Sequence, residues 1–156
     1  MARGYPDYFG QRAVPKYGTP FHVDSGFINL PAGVQTSLVA INGQGIVNNA
    51  LIYIDGNIPA CNFILDLYID GIYLFSSSIL EMFNEGFTWP GNHMFHLTEY
   101  NTDIDQYTIE SGGIVPFSIS YEILIHNQGL GVRLGMSDVF YYLQQNKNLM
   151  MLILEI

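Results

Sequence analysis

The fold of this chain is decided by residues 63–75, which read Phe63-Ile64-Leu65-Asp66-Leu67-Tyr68-Ile69, then Asp70-Gly71, then Ile72-Tyr73-Leu74-Phe75. Aliphatic and aromatic residues dominate both flanks, as is typical of β-strands. The Asp-Gly pair between them suits a two-residue turn, because both of its residues can adopt a positive φ. This stretch therefore predicts an antiparallel β-hairpin.

The chain from residue 21 onward continues in the same way, with short alternating runs separated by Gly, Asn, Asp or Pro. Residues 45–55 are apolar on both faces, which predicts a strand buried between two layers. One short helix is predicted over residues 79–86, after a serine cap and before the glycine stop. Further strands are predicted at residues 21–30, 34–41, 94–100, 106–110, 115–126, 132–136, 139–143 and 149–156. The sum predicts an all-β fold, an antiparallel β-sandwich of jelly-roll type.

The composition limits the partners of the chain. Its 156 residues match one domain, and 49% of them are hydrophobic while only 12% are charged, about half the usual charged share. Such a surface favours a homo-oligomer. The net charge is −9 with five Lys and Arg, too few cations to neutralise nucleic-acid phosphates or to hold an acidic membrane. We therefore expect neither nucleic acid nor membrane as a partner.

No motif in the sequence predicts catalysis, a cofactor or a metal, so the chain is expected not to be an enzyme. Cys61 is its one cysteine. His93 and His96 would point to opposite faces of a strand. Asp103 and Asp105 lack the rest of a twelve-residue calcium loop, so a solvated hairpin loop is the stronger interpretation. The amino terminus has no apolar signal segment, which predicts a cytoplasmic product unless a particle carries it out.

Residues 1–20 differ from the rest and predict an extended arm, followed by a single domain at 21–156. This segment holds three of the seven prolines and three of the five cations. A basic, aromatic arm on an acidic body would dock on a neighbouring copy; the alternative is a frayed terminus without a partner. The residues expected to contact a neighbour are Arg3, Tyr5, Tyr8, Phe9, Arg12, Lys16 and Tyr17.

Residues 149–156 are apolar at seven of eight positions and would be an aggregation hazard as a bare edge. This tail is expected to pair with a strand of its own sandwich or with the edge of a neighbouring subunit. Its candidate interface residues are Leu149, Met151 and Ile153.

A second class of function is also open, because one tryptophan lies in Phe87-Thr88-Trp89-Pro90-Gly91. Trp89 could stack on a sugar ring, with Tyr100 and Tyr107 adding area, as in a carbohydrate-binding or receptor-binding module. The competing interpretation is that Trp89 plugs one end of the sandwich.

The sequence resembles small β-sandwich accessory proteins of phage virions, which are components of the capsid or tail. The resemblance rests on Met1-Ala2-Arg3-Gly4-Tyr5-Pro6-Asp7-Tyr8-Phe9-Gly10, Val14-Pro15-Lys16-Tyr17-Gly18, Leu67-Tyr68-Ile69-Asp70-Gly71, Phe87-Thr88-Trp89-Pro90-Gly91 and Val139-Phe140-Tyr141-Tyr142-Leu143. It implies a structural protein located in the virion, a decoration or minor capsid component that binds other capsid or tail proteins, with a homotrimer as the first expectation. Residues 144–156 depart from the pattern, since such relatives tend to end soon after the Phe-Tyr-Tyr strand.

Overall fold

The computed structural model describes residues 18–55, 63–88, 94–111, 113–129 and 131–144. These residues form two antiparallel sheets and one short helix. In chain order the elements are β1 (Thr19–Asp24), β2 (Ile28–Leu30), β3 (Gln35–Asn42), β4 (Gly45–Asp55), β5 (Phe63–Ile69), β6 (Ile72–Ser78), α1 (Ile79–Asn84), β7 (Phe95–Asn101), β8 (Gln106–Ser111), β9 (Val115–Phe117), β10 (Ser120–Asn127) and β11 (Arg133–Leu143). The predicted all-β antiparallel sandwich is confirmed.

The larger sheet has seven strands, ordered β1-β11-β4-β8-β7, with β2 extending the edge beside β11 and β9 pairing with β4. The smaller sheet has the order β3-β10-β5-β6. The chain passes from one sheet to the other between β2 and β3, β3 and β4, β4 and β5, α1 and β7, β9 and β10, and β10 and β11. Repeated crossing of this kind is compatible with the jelly-roll subtype, which we retain as a proposal.

The core lies between the two sheets, where alternate residues of each strand meet. Ile52 and Ile54 of β4 and Ile109 of β8 face Leu65 of β5 and Ile123 of β10, and all five side chains are fully buried. Alternation with a period of two residues places these side chains on one face of each strand. The inner faces are therefore what holds the two sheets together.

The hairpin predicted from the Asp-Gly pair is present as β5 and β6. Asp70 has φ 56° and Gly71 has φ 76°, the two positive values that a type I′ turn requires. Ile69 pairs with Ile72 directly beside the turn. The local sequence was sufficient here because the turn needs only its own two residues.

The predicted helix is also present, slightly shorter than expected. Ser78 caps α1 by accepting the Glu81 backbone N–H at 3.0 Å, and the Glu81 carboxylate accepts the Ser78 backbone N–H at 3.2 Å. This reciprocal pair is a capping box. The helix ends at Asn84, and Gly86 follows with φ 78°.

Three strand boundaries differ from the prediction. The run at 21–30 is two strands, and the first begins at Thr19, inside the expected arm. The run at 115–126 is also two strands. Between them the Asp70 carboxylate accepts the backbone N–H groups of residues 118–120, in place of a carbonyl from a neighbouring strand. The runs at 132–136 and 139–143 are one strand, β11, in which the Ser137 hydroxyl donates to the Leu38 carbonyl of the opposite sheet. The rest of the arm, 1–17, and the tail, 149–156, lie outside the described residues.

Asp70 is expected to make the fold sensitive to acid. Its Oδ1 accepts the backbone N–H groups of Ser118, Ile119 and Ser120 at 2.9, 2.6 and 3.1 Å, and these bonds, that of Ile119 foremost, lower the pKa of the carboxyl. Because the folded-state pKa lies below the unfolded one, this stabilisation is present above about pH 4 and is lost as the pH falls through the folded-state pKa.

The test compares thermal midpoints of the wild type and Asp70→Asn between pH 7 and pH 3. Asparagine tolerates the positive φ, so the variant removes the charge alone. We expect a lower midpoint for the variant at pH 7 and a difference that shrinks below pH 4. Asp103→Asn, at an exposed aspartate in the β7–β8 turn, should leave the midpoint nearly unchanged. A difference for Asp70→Asn that is constant with pH would contradict this account.

Among the described residues, no helix is long and apolar enough to cross a membrane.

Candidate interaction surface

The outer face of the larger sheet carries an apolar patch at its centre. Met136 of β11 lies beside Tyr53 of β4 in the strand register, and Asp138 lies beside Leu51. The ring of Phe27 meets that of Tyr53 edge-on, with centroids 6.1 Å apart. We call the following set the apolar patch: Phe27, Leu51, Tyr53, Leu134, Met136 and Phe140.

The apolar patch is open to solvent in the isolated chain. Leu134, Phe140 and Phe27 are exposed by 41, 44 and 60%, and its other three members are half-buried. An outward sheet face of an antiparallel sandwich is ordinarily polar. A contiguous apolar area there is typical of a protein-binding surface.

The outer face of the smaller sheet is different. Its outward positions are mostly polar, and the Gln35 amide donates to the Asp66 carboxylate at 2.9 Å. The further polar residues on this face are Ser37, Ser76, Glu122 and His126. This face is nevertheless mixed, since Ile64, Leu124 and the Tyr68–Tyr73 pair lie among the polar residues. The apolar patch lies on the other outer face.

Carboxylates lie at the border of the apolar patch and also inside it, since Asp138 stands between Met136 and Phe140 on β11. Asp24 of β1 lies opposite Asp138 of β11 in the register, and Asp138 contacts the imidazole of His22, whose ring stacks on Phe140 with centroids 4.3 Å apart. Burial, followed by the charges of Asp55 and Glu99, raises the pKa of Tyr53, so its hydroxyl remains a neutral donor at physiological pH. The border favours a partner that brings cations beside apolar groups.

The sequence contained a signal for the apolar patch, and its interpretation needs correction. Residues 45–55 are apolar on both faces, which predicted a strand between two layers. In the described structure one face of β4 enters the core through Ile52 and Ile54, while Leu51 and Tyr53 lie on the patch.

The aspartates and histidines that the sequence offered as ion or metal ligands are Asp103, Asp105, His93 and His96. Asp103 is exposed, as a solvated loop predicts, but Asp105 is not: it is buried, and its Oδ2 lies 3.9 Å from Nε of the buried Arg133. His96 is buried on β7 with its Nε2 3.9 Å from Glu110, and His93 lies outside the described residues. Within the described ranges, no group of three or more His, Cys, Asp or Glu is placed to hold a metal.

Two of the three rings proposed for sugar stacking have little free surface. Tyr107 is fully buried, so its ring has no face open to a sugar and its expected role needs correction. Tyr100 is half-buried, and Phe83 covers one face of its ring, with centroids 4.1 Å apart. Trp89 lies outside the described residues, as do the arm residues Arg3 to Tyr17 and the tail residues Leu149, Met151 and Ile153.

Solved structures with a similar backbone include a chain of the acidic stable capsid structure of Helicobacter pylori bacteriophage KHP30. Its TM-score is 0.51 at 13% sequence identity, over 83% of this chain and 91% of that one. This chain shares its fold with a phage capsid chain. At 13% identity the likeness concerns the fold alone.

Two further structures have TM-scores below 0.4. One is the VP2 subviral particle of infectious bursal disease virus, with a TM-score of 0.38 at 10% identity over 81% of this chain and 33% of that one. The other is a carbohydrate-binding module from Cellvibrio mixtus lichenase 5A, with a TM-score of 0.32 at 13% identity over 83% and 91%. No family model matches the sequence, and no curated protein matches it.

Proposed function

We propose that this protein is a non-enzymatic structural component of a phage virion, a decoration or minor capsid protein that binds neighbouring virion subunits. The observation that carries the proposal is the apolar patch on the outer face of the larger sheet. Leaving Leu134, Phe140 and Phe27 in water is unfavourable, and covering them with another subunit removes that apolar area from solvent. The fold shared with a phage capsid chain agrees with this role.

The position of the apolar patch orients the protein in this proposal. The patch faces the shell, and the outer face of the smaller sheet faces solvent. Binding then stabilises the folded chain by mass action, because the partner binds the folded chain and not the unfolded one.

The arm adds a second contact. Strand β1 begins at Thr19 on the edge of the larger sheet, so residues 1–17 join the body on the sheet that carries the patch. In the proposal Arg3, Arg12 and Lys16 meet the carboxylates of Asp24 and Asp138 on a neighbouring copy. Together with the edge strands, these contacts would have to bury about 1,000 Å² or more for lasting attachment, and a homotrimer is the proposed arrangement.

Leu134→Lys is expected to reduce the amount of protein retained on purified virus particles at least tenfold. The variant places a charge where the apolar patch would be covered, and losing one buried leucine alone corresponds to about 1.5–3 kcal/mol. Sedimentation of particles with bound protein measures the retention. Deletion of residues 1–17 should also lower it.

Ile119→Lys is the matched control, because Ile119 is 67% exposed at the opposite end of the sandwich. It should leave retention unchanged, and both variants should keep the wild-type thermal midpoint. Equal retention for Leu134→Lys and wild type would contradict the proposed orientation.

Carbohydrate binding is the second candidate, and one observation favours it. The outer face of the smaller sheet has an open depression of about 260 Å³, lined by Tyr68 and Glu122 among others. The ring of Tyr68 lies 5.4 Å from that of Tyr73, and an aromatic pair beside a carboxylate suits a sugar. Saturable binding on a glycan array that is lost in Tyr68→Ala or Trp89→Ala, but kept in Leu134→Lys, would favour this candidate.

A further inference from the structure

Strand β6 is an edge of the smaller sheet, and its exposed residues are apolar. Ile72, Tyr73 and Leu74 are exposed by 61, 52 and 50%. These three residues are consecutive, so both faces of the strand are open at once. None of the seven residues of β6 is charged or proline, two features by which proteins protect an edge from pairing. The strand has one irregularity at Leu74, because Leu67 pairs with Phe75 and Tyr68 with Tyr73.

The other longer edge strands of the described sheets, β1, β7 and β3, are better protected. β1 contains Pro20 and the charged Asp24, and β7 exposes Glu99. On β3 the exposed residues are mainly polar, whereas Leu38, Val39 and Ile41 are already buried. An additional strand would therefore cover the most apolar surface at β6.

The segment of this chain that matches such an edge is the tail, residues 149–156. From Leu149 to Leu154 it has no charge, no proline and no glycine, and its eight residues are enough to pair with all seven of β6. Pairing an extended segment with an exposed edge satisfies the backbone groups of both.

The position where the described chain ends favours one source for the tail. Gln144 donates its backbone N–H to Gln44, and Gly43 beside it donates to Ile119. Asp70, in the turn that starts β6, binds residues 118–120. Gln144, the last described residue, therefore lies at the end of the sandwich where β6 begins.

From that end, a chain's own tail would run beside β6 in the same direction, as a parallel pair. Every strand pair in the described sheets is antiparallel, and parallel pairing is slightly less stable per residue. To pair antiparallel, the tail would have to enter at Ser78, about 20 Å from Ile72 along β6. The five Cα–Cα steps from Gln144 to Leu149 span at most about 18 Å.

We propose that the free edge of β6 pairs, antiparallel, with residues 149–156 of a second copy of this chain. The tail of each copy then covers Ile72, Tyr73 and Leu74 of a neighbour. This inference deepens the proposed function, in which the tail belongs to a subunit interface. It is tested on purified protein without particles, so its failure would leave the attachment through the apolar patch unaffected.

The first test is cross-linking between separately purified chains in a Cys61→Ser background. Chains carrying Ile72→Cys or Leu74→Cys are mixed with chains carrying Met151→Cys or Ile153→Cys under mild oxidation. We expect a covalent heterodimer for at least one pair. Chains carrying Ser37→Cys, at an exposed position on the β3 edge, should give none. Cross-links to Ser37→Cys instead, or a cross-link within one chain carrying both Leu74→Cys and Met151→Cys, would overturn the proposal.

The second test measures amide hydrogen exchange in residues 72–78. Because the partner is a second copy, exchange should rise at least tenfold on dilution, and deletion of 149–156 should give the same fast exchange at every concentration. Leu74→Lys should give the same fast exchange at every concentration in a chain of full length. Exchange that does not change with dilution or with deletion would exclude the pairing.

Discussion

Replacing Asn127 by alanine is expected to lower the free energy of unfolding by about 3–5 kcal/mol. Asn127 is fully buried at the end of β10. Its Nδ2 donates to the carbonyls of Leu30 and Gly131, both at 2.8 Å, and its Oδ1 accepts the Gly129 N–H at 2.9 Å. Alanine would remove the partner of all three backbone groups at once.

The loss should also reach the proposed interface. Asn127 joins Leu30 of β2 to Gly131, two residues before β11, and β11 carries Leu134 of the apolar patch. We therefore expect weaker pairing at this end of β2 and β11, measurable as faster amide exchange in residues 28–30.

Two variants separate hydrogen bonding from packing at this position. Asn127→Asp keeps the volume but presents a carboxylate to two carbonyls, and should destabilise at least as much as alanine. Asn29→Ala removes an exposed asparagine from neighbouring β2, and should cost less than about 0.5 kcal/mol. Urea unfolding measures all three. An Asn127→Asp variant as stable as wild type would contradict the role given to the amide.

Gly45→Ala is expected to cost about 3 kcal/mol, because β4 and β11 approach too closely there for a side chain. A Cβ at Gly45 would lie 1.8 Å from the Tyr142 carbonyl oxygen and 3.2 Å from the Leu143 Cα. Both atoms belong to the backbone, so the last residues of β11 would have to move away. For a chain of this length that loss lowers the thermal midpoint by about 6–12 °C.

Gly113→Ala is the control for this variant. A Cβ at Gly113 meets nothing within 4 Å, and its φ is not positive. Alanine should therefore be neutral or slightly stabilising there, since it reduces the entropy of the unfolded chain. Calorimetric scans compare the two. A midpoint for Gly45→Ala within 2 °C of the wild type would show that β11 yields to the new methyl group at little cost.

The elements that the sequence predicted well depend on residues close together in the chain. The β5–β6 hairpin needs the positive φ values of Asp70 and Gly71, and α1 needs the capping box of Ser78 and Glu81. Strand boundaries were less accurate where distant groups intervene. The Asp70 carboxylate divides the run at 115–126 into two strands, and the Ser137 hydroxyl bonds to the opposite sheet within a continuous β11.

The candidate interaction surface could be predicted only in part from the sequence. Low charge and high aromatic content predicted that some apolar surface must be shared with other subunits, without saying which. The expected interface residues of the arm and tail lie outside the described residues and remain proposals. Tyr107, expected beside a sugar, is fully buried because alternation along β8 places it on the inner face with Ile109.

Period-two alternation and turn chemistry, both local properties, were enough to establish strands, a hairpin and a sandwich. Local patterns cannot tell the two apolar faces of one strand apart, since each alternates equally well. Only the stacking of the sheets assigned Ile52 and Ile54 to the core and left Leu51 and Tyr53 outside. The same stacking placed Gln144 at the end where β6 begins, a proximity that local patterns could not reveal because the two residues are far apart in the chain.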